Sequence, residues 1–190
     1  ASGKPVRSFA DLLQDLTANS QTIVAAGSYG KSTCTALLAW CLRAAGKDPS
    51  YFIGEITNGL ERHAHRGKGA TFVLEGDEYP ASNWDDRSKF LLYNARNVLL
   101  TSATHDHINV FPTHAEYLAP FQTLLGSLPS DGLLVVNSGE PHARALRAAR
   151  RFDFGHDVGT SMIRQLRGGE PHAEADVRPR PAEEIFHVVA

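Results

Sequence analysis

Apolar and polar positions fall in blocks along the chain, and the spacing inside each block predicts its element. Phe9-Ala10-Asp11-Leu12-Leu13-Gln14-Asp15-Leu16 has apolar residues at i, i+3, i+4 and i+7, the period of a short amphipathic helix. Thr22-Ile23-Val24-Ala25-Ala26 is a continuous apolar run with β-branched members, which reads as a buried strand. After a glycine-punctuated turn, residues 34–42 return to helical spacing, and Gly46 is the stop. Residues 51–53 read as a brief strand, 70–74 as a buried one, and 97–101 and 132–137 as two more. Helices are expected over residues 114–128 and over the basic stretch 141–151. Strands alternating with helices predict an α/β fold, a mostly parallel sheet with flanking helices. The pattern fails over residues 159–181, rich in glycine, proline and charge, and residues 184–189 look like a further strand.

Composition narrows this picture. A chain of 190 residues with 42% hydrophobic content suffices for one α/β domain with a full core. The formal net charge of -2 gives no general electrostatic grip on nucleic acid or an anionic membrane, so any phosphate binding must be local. Cys34 and Cys41 lie about two helical turns apart, too far for a disulfide, and are expected as buried thiols in a reducing compartment. No stretch reaches the apolar length of a membrane span, and the N-terminus lacks the order of a signal peptide. The expectation is a soluble, cytoplasmic domain over residues 1–190, cut from a longer protein.

Candidate chemistry sits at strand ends. Gly27-Ser28-Tyr29-Gly30-Lys31-Ser32-Thr33 joins the first strand to a helix and reads as a phosphate-binding loop. Glycines let backbone N–H groups converge on an anion, the helix N-terminus points its positive end there, and Lys31 adds a full charge. It is the short form of the motif, because Ala25 stands where the longer one has its first glycine. Ser32 is placed to offer its hydroxyl to magnesium. A second strand runs into Glu75-Gly76-Asp77-Glu78 and a third into His105-Asp106-His107. Ligands of parallel sheets sit outside the carboxyl ends of the strands, so these groups converge if the strands are neighbours. Glu75, read as the first residue past its strand, is placed to ligate a magnesium ion. Trp84, Phe90 and Tyr93 read as core or rim packing rather than a base-stacking platform, and the histidines other than His105 and His107 as surface or loop residues.

The loop, Glu75-Gly76-Asp77-Glu78-Tyr79, Arg87-Ser88-Lys89-Phe90, Asp106-His107, Phe111-Pro112 and the strand 132–137 occur in the order and spacing of the central ATPase domain of the Mur ligases. The chain resembles that family over residues 21–155, and the Arg-Ser-Lys-Phe segment resembles the murein peptide ligase subgroup, with the alanine-adding ligases next. The resemblance implies an ATP-dependent amide-bond ligase of peptidoglycan synthesis or recycling. Its two other domains, a UDP-binding one and a C-terminal one, would flank this core, and the isolated core would not ligate. By the family pattern Lys31 and the loop N–H groups hold the β- and γ-phosphates of ATP, Ser32 and Glu75 bind magnesium, and His107 binds a second magnesium or positions the γ-phosphate. The expected substrates are UDP-N-acetylmuramic acid and a peptide or amino acid.

The sequence departs from that pattern in several places. Gly76 stands where alanine is usual, a change expected to be mild. Ser102 and Thr104 replace the asparagine and glutamate of Asn-x-Glu-x-Asp-His, and Asn109 stands where aspartate is common, so a second metal site would be weakened. These departures keep two other classes open: a phosphate-loop hydrolase or kinase, and a non-catalytic nucleotide-binding module.

Overall fold

A short helix enters the domain first. The computed structural model describes residues 6–55, 60 and 62–155, so the expected strand over 184–189 lies outside the described residues. Helix α1 is Phe9–Thr17, fixed at its start by a capping box in which Ser8 and Asp11 exchange side-chain-to-backbone hydrogen bonds. Strand β1, Gln21–Ala26, leads through the glycine loop into helix α2, Lys31–Ala44. Then follow β2 (Ser50–Phe52), β3 (Ala64–His65) and β4 (Thr71–Glu75). A hairpin of β5 (Pro80–Ser82) and β6 (Asp85–Ser88) runs into a 3-10 turn, Lys89–Leu92. The chain continues through β7 (Asn97–Leu100), α3 (His114–Gly126), β8 (Leu133–Asn137), α4 (Pro141–Ala145) and β9 (Arg151–Phe154).

Among the described residues, seven strands form one sheet in the order β3-β2-β4-β1-β7-β8-β9, with only β3 antiparallel to its neighbour. β1 is therefore central, with β4 and β7 on either side. The register levels their ends, pairing Ala25 with both Glu75 and Leu99. On one face Val24, Leu74, Val98, Leu100, Leu134 and Val136 pack against α1, α3 and the 3-10 turn through Leu13, Tyr117, Phe121, Phe90 and Leu92. On the other, α2 covers Tyr51, Ile53 and Val73 through Ala36, Ala39 and Leu42.

Four expectations need correction. The expected helix over residues 141–151 is helical only as far as Ala145. Leu146 turns extended, with ψ 150°, and Arg151–Phe154 adds a parallel strand to β8. The Arg147 and Arg151 guanidiniums take the Arg144 and Leu146 carbonyls that a continuing helix would have used. Glu75 is the last residue of its strand, paired with Ala25, rather than the first beyond it. Trp84 is exposed at the tip of the β5–β6 hairpin, whereas Phe90 and Tyr93 are core. Cys34 and Cys41 are half-buried free thiols on α2 rather than core residues.

Candidate functional site

The loop after β1 emerges between the ends of β4 and β7, as parallel-sheet logic requires. Gly27 has φ 140° and approaches β7 so closely that a Cβ would lie 2.3 Å from Thr101 Oγ1 and 2.8 Å from Ser102 backbone atoms. Gly30 has φ 79° and is the N-cap of α2. Only glycine fits both conditions at position 27. The loop backbone is fastened to β7: Thr101 Oγ1 donates to the Tyr29 carbonyl at 2.6 Å, and the Tyr29 N–H donates to Ser102 Oγ at 3.1 Å. Ser28 Oγ donates to the Thr104 carbonyl and accepts from Tyr117 OH at 3.0 Å. The Tyr29 ring and Thr33 face solvent.

The other wall is charged. Lys31 Nζ donates to the Gly27 carbonyl at 2.7 Å and to Glu78 Oε1 at 3.2 Å, folding back over its own loop. Ser32 Oγ donates to Glu75 Oε1 at 2.8 Å, while Glu75 Oε2 accepts from the Gly54 N–H at 2.7 Å. His107 arrives from beyond β7, held with φ 54°, outside the usual range for a non-glycine residue. Its Nε2 lies 3.0 Å from Glu78 Oε1, and its Nδ1 shares a 2.9 Å hydrogen bond with Tyr79 OH. Lys31, Glu75, Glu78 and His107 thus line one cavity of about 390 Å³, with Phe9 and Phe52 on its rim. Burial pushes the Glu78 carboxyl above the usual carboxylate range, although the Lys31 charge pulls the other way.

Lys31, Ser32, Glu75 and His107 lie on this loop or beside it, whereas His105 donates to the Phe111 carbonyl at 2.8 Å; Glu78, which binds the wall together, is in the sequence only one member of an acidic cluster. Its position three residues past Glu75 was the available signal. Gly76 is not a mild change here: a Cβ would lie 2.8 Å from Val24 Cγ1 and 3.0 Å from Ala26 Cβ. Thr104 has a carboxylate nearby, with Oγ1 3.4 Å from Glu140 Oε1. Glu140 does not replace the missing glutamate, because it accepts from the backbone N–H groups of Ala103, His142 and Ala143. The histidines expected as surface residues include His114, whose Nε2 donates to the Ala103 carbonyl at 3.1 Å just past β7 and whose ring packs edge-on against His142.

Comparison with known proteins decides the family. The family model described as the Mur ligase middle domain matches residues 25–166. The chain belongs to the Mur ligase family. The relatives of this Mur ligase middle domain include two kinds. It is 35% identical over 151 residues to a UDP-N-acetylmuramate–L-alanine ligase of Renibacterium salmoninarum, covering 76% of this chain and 31% of that protein. It is 30% identical over 122 residues to a UDP-N-acetylmuramate–L-alanyl-γ-D-glutamyl-meso-2,6-diaminoheptandioate ligase of Haemophilus influenzae, covering 64% of this chain and 27% of that protein. The chain spans about a third of the length of the curated relatives it matches. The crystal structure of the corresponding murein peptide ligase from Neisseria meningitides superposes with TM-score 0.71 at 26% identity, over 80% of this chain and 51% of that one. That of a murein peptide ligase from Psychrobacter arcticus shares the fold with TM-score 0.66, over 83% and 37% of the two chains. Among the described residues of this Mur ligase middle domain, no helix is long and apolar enough to cross a membrane.

Proposed function

We propose that the chain is the ATP-binding core of an ATP-dependent carboxylate–amine ligase, acting in the cytoplasm on UDP-N-acetylmuramic acid and a peptide or amino acid. The observation that carries this reading is the convergence of Lys31, the Ser32–Glu75 pair and His107 on one crevice at the carboxyl ends of β1, β4 and β7. Both kinds of relative are named as ligases of UDP-N-acetylmuramate, which favours ligation over hydrolysis or simple phosphate transfer.

The residues present suit magnesium, a hard cation that takes oxygen ligands, since Ser32 and Glu75 set a hydroxyl and a carboxylate 2.8 Å apart beside the phosphate loop. Ser32 and Glu75 are the groups that would hold it, with His107 left to bind a second magnesium or position the γ-phosphate, and bound there the ion would draw negative charge from the transferring phosphoryl group. Lys31 and the loop N–H groups hold the β- and γ-phosphates. A substrate carboxylate oxygen attacks the γ-phosphorus, the bond to the ADP oxygen breaks, and an acyl phosphate forms. The amine then attacks the acyl carbon and phosphate leaves with the bonding electrons, while the amine gives up a proton. The protein positions the reactants and stabilises developing charge.

The test is a calorimetric titration with magnesium-ATP. Lys31→Ala is expected to weaken binding about 100-fold, the loss of a charged hydrogen-bonding group on phosphate. Unchanged affinity overturns the reading. In the longer protein, ADP release should require both a carboxylate and an amine substrate; release with neither identifies a hydrolase.

A further inference from the structure

Glu78 stands apart from the residues that the proposed reaction uses. Its side chain is 1% exposed, yet it lines the crevice that Lys31, Glu75 and His107 share. Lys31 Nζ lies 3.2 Å from each carboxylate oxygen, but only Oε1 is aligned as a hydrogen-bond acceptor, and His107 Nε2 also turns to Oε1. Oε2 has no hydrogen-bond partner among the described residues. A buried carboxylate with an unsatisfied oxygen is unfavourable unless a charge or donor arrives to meet it.

We propose that Glu78 is a positioning residue that makes nucleotide binding at the loop depend on a divalent cation. This rests on the nucleotide reading above. Without ligand, Glu78 holds Lys31 over the Gly27 and Ser28 carbonyls. A polyphosphate competes with Glu78 for the same ammonium. If it comes without a cation, phosphate and Glu78 face each other across the crevice with one lysine between two anions, and repulsion opposes binding. A divalent cation arriving with the phosphates supplies the charge that Glu78 loses when Lys31 turns away. Glu78 thereby selects the metal complex over the free nucleotide, without being needed to grip the phosphates.

The experiment compares the 190-residue chain with Glu78→Gln and Glu78→Asp. Each is titrated with ATP in EDTA and in excess magnesium, and its melting midpoint is recorded. Glu78→Gln is expected to bind cation-free ATP about ten-fold more tightly than the unmodified chain, with the magnesium-to-EDTA affinity ratio shrinking by a similar factor. Glu78→Asp, which keeps the charge, is expected to retain that ratio within about three-fold. An unchanged ratio in Glu78→Gln overturns the proposal. So does a parallel loss of affinity in both conditions together with a lower melting midpoint, the pattern of a merely structural residue. Failure of the unmodified chain to bind ATP in either condition overturns the nucleotide reading itself and is distinguishable from both.

Discussion

On the β4 side, the loop is met by charged side chains: Glu75 takes Ser32, and Glu78 takes Lys31 and His107. On the β7 side it is met by neutral hydroxyls and carbonyls, with Thr101 and Ser102 holding the Tyr29 backbone and the Thr104 carbonyl accepting from the Ser28 hydroxyl. The first wall engages the groups that would act on a ligand, and the second fixes the path of the chain that presents them. Ser102 and Thr104, where the sequence departs from the pattern it resembles, therefore lie on the wall whose contacts here are structural. Substitutions on the β7 side should change stability, and those on the β4 side should change ligand binding.

Gly27→Ala breaks the β7 wall most directly. At φ 140°, with Thr101 Oγ1 2.3 Å from the added Cβ, it is expected to lower stability by about 3 kcal/mol or more in urea unfolding. A loss under about 1 kcal/mol means that the loop is not held against β7 in solution. Glu140→Gln is next. Burial alone would raise the Glu140 carboxyl, but hydrogen bonds from the Ala143, His142 and Ala103 N–H groups hold it below its ordinary value of 4.5. A lowered folded-state pKa means that this stabilisation is present above 4.5 and is lost as pH falls through the folded value. Glu140→Gln is expected to remove about 1–2 kcal/mol at pH 7 and less in acid, read from urea midpoints across pH. An equal loss at both ends assigns the effect to packing. The smallest stability change is expected on the opposite wall. Ser32→Ala should stay within about 0.5 kcal/mol, yet weaken magnesium-ATP about ten-fold while leaving binding in EDTA unchanged.

The sheet and the crevice were legible because their signals are local. Residues 21–26, 71–75, 97–100 and 133–137 are apolar runs that only buried strands explain, and each chemical group lies within a few residues of a strand end. What the sequence left hidden depends on the partner. Arg151–Phe154 is a strand because β8 offers it an unpaired edge, and nothing within those four residues says so. Glu78 and Glu75 look alike along the chain, but one is sealed under Lys31 and His107 while the other faces Ser32 and Gly54. Glu140 acts on the loop from 36 residues beyond Thr104, through the end of β7.

Gly76 constrains how this sequence can change. Its missing Cβ leaves the space that Val24 Cγ1 and Ala26 Cβ occupy from the strand alongside. An alanine at position 76 would press on Val24 Cγ1, Ala26 Cβ and the Ala25 carbonyl oxygen at once, so a smaller residue at position 24 relieves only the tightest of the three contacts. Substitution at position 76 is thereby coupled to the side chains carried by the neighbouring strand at positions 24 and 26.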